Sequence, residues 1–213
     1  MGRIMKLALA MMIAGAPAYA ELEETNMEKV MRQESRGLNA AASAHLQRLV
    51  TPAPQSGLKD VQYSRNWLDS QNFRTGGSEW TCLSEALYFE ARGETVKGQF
   101  AVAEVIMNRV DSPRYPDSIC GVVGQGASSG VKYACQFSFK CDGAAETIHE
   151  TGAYHRVGKV AKLMLEGAPR RLTGGATHYH TTAVSPSWSR KFPMTAEIGV
   201  HRFYKQPLQL SRN

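Results

Sequence analysis

The sequence predicts an α+β fold: a mostly helical domain with a small antiparallel sheet near its C-terminal end. Three observations carry that prediction. Residues 81–109, TCLSEALYFEARGETVKGQFAVAEVIMNR, hold two successive runs of apolar residues at helical spacing. Ala153 to Glu166 repeats that spacing, with Val157, Val160, Ala161, Met164 and Leu165 apolar and Gly167 as a stop. The segments ATHYHTT (176–182) and IGVHRFY (198–204) instead alternate with period two, as strands do.

The elements follow in order. Arg3 and Lys6 precede an apolar run, Leu7 to Ala16, and then Ala18-Tyr19-Ala20. Charged, apolar and small-residue regions in that sequence read as a secretory signal peptide over residues 1–20. The apolar run falls short of the ~20 residues a membrane helix needs, and no other stretch approaches it. An exported location, in the periplasm or at the cell wall, follows as an expectation. The chain has 25 basic and 19 acidic residues, net +6; without Arg3 and Lys6 it has 23 against 19, or +4. That balance suits a polyanionic partner. The cations are scattered apart from Arg170-Arg171 and Arg190-Lys191, so nothing marks a nucleic-acid site.

Residues 21–78 read as an N-terminal extension and linker, partly helical, for example around Asn26 to Arg32. Thr51-Pro-Ala-Pro-Gln-Ser-Gly breaks any helix. Val61 to Gly77 contains Tyr63, Trp67 and Phe73 without regular spacing; the alternative is an arm packed on the following domain. The first strong helix carries Leu83, Ala86, Leu87 and Glu90 on one stripe, and ends near Gly93. The second runs from about Val96 to Val110, with Val102, Val105, Ile106 and Val110 on one face. Pro, Gly and Ser then dominate residues 111–143, which read as long loops with a helical turn near Ser118 to Val122. Ser185 to Thr195 reads as a loop between two strands, and residues 207–213 as a tail.

Glu90 is the most informative residue. A carboxyl group on an apolar stripe is desolvated, which favours its neutral form, and that is what a general acid for glycoside cleavage requires. The plainer alternative is a stripe-edge glutamate paired with Arg92 or another surface cation.

The motifs YFEARGE and GQFAVAEVIMNRV, then SPRYPDSICGVV, CQFSF, GATHYH and IGVHRFYK, occur in the order found in SleB/CwlJ-type cell wall hydrolases. The resemblance covers residues 80–205. It implies a lysozyme-like or lytic-transglycosylase-like domain over residues 79–206, acting on the glycan strands of peptidoglycan without a cofactor or metal. It implies Glu90 as the catalytic acid/base, and a groove bordered by the CQFSF segment with Gln136 and Ser138, and by the two strand motifs.

Other candidates carry alternatives. Tyr88, Tyr133, Tyr179, Trp188, Phe203 and Tyr204 offer flat faces for stacking on sugars. Asn108 and Arg109 end the second helix, where they would orient Glu90 or hold a peptide carboxylate. A second carboxylate for a hydrolytic muramidase or glucosaminidase would be Glu85, Glu94, Glu104 or Asp142, with Glu94 one turn from Glu90. His178 and His180 alternate on one strand, and His201 on its partner would make a zinc-amidase site if all three converge. A wall-binding protein without chemistry is the non-enzymatic alternative. Cys82, Cys120, Cys135 and Cys141 form an even set, which in an exported chain favours two disulfides. Pairing Cys135 with Cys141 leaves Cys82 with Cys120; joining Cys120 to Cys141 is the rival.

Overall fold

The computed structural model describes residues 20–40, 60–131 and 134–207. The expected signal peptide up to Tyr19, the Pro-rich linker, Tyr133 and nearly all of the C-terminal tail lie outside them. The chain divides into two units, residues 1–41 and 42–213. In the first, helix α1 spans Ala20–Ala40 as one element, longer than the turns expected around Asn26 to Arg32. In the second, five α-helices precede a three-stranded sheet: α2 (Arg65–Ser70), α3 (Ser78–Ala91), α4 (Val96–Val110), α5 (Ile119–Val123) and α6 (Thr151–Leu165), then β1 (His178–Thr181), β2 (Met194–Ile198) and β3 (His201–Tyr204).

The helix boundaries follow local chemistry. Thr95 caps α4 by accepting from the Gly98 amide, and Ser118 caps α5 by accepting from Gly121. Glu79 adds a second acceptor at the start of α5, taking the Ile119 N–H at 2.7 Å. Leu83, Ala86 and Leu87 of α3 are fully buried between α4, α5 and α6. Burying a leucine contributes about 2 kcal/mol, so this stripe fixes α3 at the centre of the core. Trp80 donates to the Gly158 carbonyl at 2.8 Å, and a Cβ on Gly158 would stand 2.9 Å from both Trp80 and Phe73. A glycine at 158 is therefore what lets α6 approach this closely.

Residues 61–73, read from sequence as part of an extension, belong to this packing. Leu68 is fully buried, Tyr63 meets Phe100 edge-on, and Phe73 packs against Trp80 and His155. The irregular spacing reflects a short α2 flanked by extended chain, each part giving one or two side chains to the core. The disulfides join Cys82 to Cys120, tying α3 to α5, and Cys135 to Cys141, closing a short loop. The Cys120–Cys141 rival is not formed.

The sheet departs from the expected pair of strands. Its order is β1-β3-β2, antiparallel throughout. What alternates as a single strand from 198 to 204 is broken at Gly199, whose φ of 61° suits glycine, and the chain reverses there. The end of the supposed loop, Met194 to Ile198, becomes β2. Prolines 186 and 193 hide this strand from a sequence reading, although both fall outside it.

Helix α4 decides where the sheet sits. Glu104 is buried, and its carboxylate accepts from the amides of Leu172 and Thr173 and from the Thr173 hydroxyl at 2.6–3.0 Å. One turn on, Asn108 donates to the Ala176 carbonyl at 2.9 Å, and Arg109 donates to Thr177 at 2.7 Å. Three successive anchors thus hold the strand that enters β1. Removing a buried acceptor strands its donors at about 1–3 kcal/mol, more where the acceptor is charged. Glu104→Ala is expected to lower unfolding free energy by roughly 3 kcal/mol in urea titration, whereas Glu85→Ala, which breaks a partly buried pair but leaves Lys140 its second partner Glu146, should change it by less than about 1 kcal/mol.

Candidate active site

Glu90 continues the buried stripe of α3 into that helix's last turn, where the packing opens and the residue is half-buried. A carboxyl group there needs a polar partner from elsewhere in the chain. Tyr179, central in β1, provides it: its hydroxyl donates to Glu90 Oε2 at 2.9 Å. Behind the phenol lies Arg109, 3% exposed, held through Nε by the Thr177 carbonyl. Its guanidinium faces the rings of Tyr115, Phe137 and Tyr179 with centroids 5.5–5.9 Å away.

The electrostatics follow from this enclosure. Burial raises the Glu90 acid above its ordinary value; the Tyr179 hydrogen bond and the Arg109 charge oppose that rise without cancelling it. Burial and the neighbouring Glu90 push the Tyr179 phenol well above 10, so it stays a donor. His178, desolvated and close to Arg109 and Arg114, falls to about 4 and is neutral at physiological pH.

Three of the four other carboxylate candidates are engaged elsewhere. Glu85 pairs with Lys140 at 2.7 Å, Glu104 anchors the strand before β1, and Asp142 accepts the Ala144 amide. Glu94 follows α3 and faces His201 Nδ1 at 3.4 Å, without the geometry of a hydrogen bond. Its Oε2 occupies the space a Cβ on Gly199 would need. His201 in turn packs edge-on against Tyr179 at 5.2 Å. Glu94 and Glu90 therefore bracket Tyr179, one through a hydrogen bond and the other through an imidazole.

The sheet register separates the three histidines. His201 pairs with Thr181 and shares a face with Tyr179 and Phe203, whereas His178 and His180 project from the opposite face. Both nitrogens of His180 are occupied, Nδ1 by the Thr181 carbonyl and Nε2 by the Tyr204 hydroxyl. Among the described residues, no three His, Cys, Asp or Glu side chains gather as a metal-binding group. The convergence that the zinc-amidase alternative required does not occur, because alternation places His201 on the opposite face of the sheet from His178 and His180.

The aromatic candidates divide in the same way. Trp188 packs on His178 and His180 with Phe192 and Tyr204, away from the Tyr179 face. Phe203 is wholly buried. Tyr88 is also a core residue; its hydroxyl accepts from the amides of His149 and Glu150, before α6. Neither ring has a free face for a sugar, because each lies on the inward side of its element. Asn108 is committed to the Ala176 carbonyl. Gln136 and Ser138 are exposed while Phe137 and Phe139 point inward, and Phe139 stacks at 4.6 Å on Phe89, the neighbour of Glu90. The short disulfide loop is thereby fixed beside the glutamate.

The profile of the family described as Cell Wall Hydrolase matches residues 93–204, just over half of the chain. The chain belongs to this family. Glu90 lies three residues before the first matched residue, outside the matched span. The chain is similar to the spore cortex-lytic enzyme of Halalkalibacterium halodurans, 35% identical over 124 residues, covering 57% of this chain and 33% of the relative. It is 32% identical over 127 residues to the spore cortex-lytic enzyme of Bacillus cereus, covering 58% of this chain and 42% of the relative. The matches thus span well under half of each relative's length. In structure it is similar to the catalytic domain of the Bacillus cereus SleB protein: TM-score 0.45, 27% identity, 63% of this chain and 94% of that one.

The raised pKa of Glu90 has a thermodynamic consequence. Between its unfolded and folded values the folded chain holds a proton that the unfolded chain has released, so stability falls as pH rises through that window. The contribution is complete below the ordinary value of 4.5 and lost above the raised one. Glu90→Gln is therefore expected to melt at a higher temperature than the parent at pH 7, with the two curves converging below about pH 4.5; a lower melting point at pH 7 would reverse the sign assigned to burial.

Proposed function

We propose that this protein cleaves the glycan strands of peptidoglycan as a lytic transglycosylase, with Glu90 as its one acid/base. Membership of the cell wall hydrolases and similarity to spore cortex-lytic enzymes support the substrate class. The observation that carries the mechanism is the pairing of a half-buried Glu90, its pKa raised by burial, with a single phenolic donor. Glu85, Glu104 and Asp142 are bound to other partners, and Glu94 faces His201 on the far side of Tyr179.

In this reading the Glu90 acid gives its proton to the glycosidic oxygen as the bond from that oxygen to the sugar's anomeric carbon breaks. The carboxylate then takes the proton of the muramic 6-hydroxyl, whose oxygen bonds to the same carbon. Glu90 regains its proton and the product is a 1,6-anhydro sugar, with no water consumed. A hydroxyl within the reacting sugar has a high effective molarity, so no second carboxylate is needed to activate water. Tyr179, hydrogen-bonded to Glu90 Oε2, orients the carboxyl group through both steps. Gln136 and Ser138 on the outer side of the disulfide loop are the proposed glycan contacts. The two disulfides fit an oxidising compartment and so an exported protein. The catalytic domain is taken to run from about residue 60 to 206, since the residues before α3 contribute to its core.

Mass analysis of muropeptides released from purified sacculi tests this. The parent protein is expected to release 1,6-anhydromuramic ends, lighter by one water than hydrolysed products. Glu90→Gln should reduce release by at least about 100-fold, the usual contribution of a general acid–base group. Glu94→Gln should stay within a few fold. Reducing ends lost on Glu94→Gln would instead favour a hydrolytic muramidase, and cut stem peptides on intact glycan would exclude both.

A further inference from the structure

Arg109 and Glu104 are the two buried members of the Lys, Arg, Asp and Glu set among the described residues. Arg109 sits at the end of α4, 3% exposed, with Nε tied to the Thr177 carbonyl and Nη1 buried without a hydrogen-bond partner. The acidic groups acting on it are the phenols of Tyr179 and Tyr115 and the carboxyl of Glu90. Three aromatic rings surround its guanidinium. An enclosed cation that needed only a backbone carbonyl would be an expensive way to anchor a strand, because Asn108 beside it does so with a neutral amide.

We propose that Arg109 is a positioning residue: lying behind Tyr179, it polarises the phenol toward Glu90 and supplies the counter-charge when Glu90 gives up its proton. The inference rests on Glu90 being the acid/base. While Glu90 is neutral, Arg109 is an uncompensated buried cation. As the proton moves to the leaving oxygen, the new carboxylate meets a fixed positive charge through a hydrogen bond already in place. Preoriented charge of this kind requires no rearrangement at the moment of reaction. Arg109 keeps its protons throughout, and so does Tyr179. Burial alone would hold the acid too tightly; the guanidinium offsets part of that, as the opposed contributions at Glu90 indicate.

The groups facing this device come from several elements. Tyr179 and His178 belong to β1, and Tyr115 and Arg114 to the loop after α4. His201 of β3 packs on Tyr179, with Glu94 behind it. His178 is neutral above pH 5, since its value lies near 4, so its titration does not overlap the neutral range. His201 is held below its ordinary value, chiefly by burial. Its contribution is separated experimentally by repeating the measurement in His201→Gln.

Carboxyl-carbon NMR of the whole protein, with the Glu90 signal assigned by its loss in Glu90→Gln, reads the effect directly. Arg109→Gln is expected to move Glu90's titration midpoint upward by on the order of one unit, since an opposite charge nearby lowers a carboxylate by about 1–3 units. Arg109→Lys, which keeps a cation but not the fork, should move it less. Tyr179→Phe should move it upward too, and the double variant by less than the sum of the two single shifts, because the part of Arg109's effect carried by the phenol is lost with the hydroxyl. The alkaline limb of the pH–rate profile should move with the midpoint. A folded Arg109→Gln with an unmoved midpoint overturns the inference, and so do additive shifts. If Arg109→Gln does not fold, Tyr179→Phe decides: an unmoved midpoint there is equally fatal. The titration reads Glu90 whether or not it catalyses, so failure here is distinct from failure of the glycan-cleavage reading, which Glu90→Gln reports through released muropeptides.

Discussion

The site depends on one hydrogen bond, from the Tyr179 hydroxyl to the Glu90 carboxyl. Helix α3 would be an ordinary core helix without Glu90 on its stripe. With it, the fold must bring a donor to the helix's last turn while leaving that turn partly open. No residue of α3 can do this, because neighbours at helical spacing along the stripe are apolar and buried. The donor has to come from a distant segment, and the small sheet delivers it.

Delivery is the work of α4. Glu104, Asn108 and Arg109 grip residues 172–177 at successive points, two through side chains aligned one turn apart. The first residue of β1 is therefore placed by a helix, and Tyr179 follows one residue later. Glu104 and Glu90 are both enclosed glutamates with opposite purposes. Glu104 accepts three hydrogen bonds and is a fastening; Glu90, the proposed acid/base, accepts one from a single phenol. The number of donors supplied to each, more than its burial, distinguishes the two carboxylates.

The sheet also sorts the aromatic residues. One face carries Tyr179, Phe203 and His201 toward α4 and Glu94, and the other collects His178, His180, Trp188 and Tyr204 into a separate cluster. The proposed substrate contacts are the exposed positions of the disulfide loop, Gln136 and Ser138, in a segment that Phe139 holds against Phe89. The Cys135–Cys141 bridge closes a loop too short to have a core of its own, and the two inward phenylalanines supply its attachment.

The sequence by itself determined the helices. Apolar spacing located α3, α4 and α6 to within a few residues, and the desolvated position of Glu90 was visible as a carboxylate on the stripe Leu83–Ala86–Leu87. Those features are local, set by a period of 3.6 residues and by side chains within two turns. Tertiary structure decided what depends on register and on contacts across 60 to 90 residues. It set the break at Gly199, the unseen strand β2, and the opposite faces of His178 and His201. It also decided that Tyr179 is a hydrogen-bond donor to Glu90, and that residues 61–73 join the core. A strand's alternation gives two faces without saying which is inward, and a tyrosine's sequence neighbours do not reveal whether its hydroxyl meets water or a carboxylate. Only the three anchors from α4 settled that choice, by fixing where β1 begins.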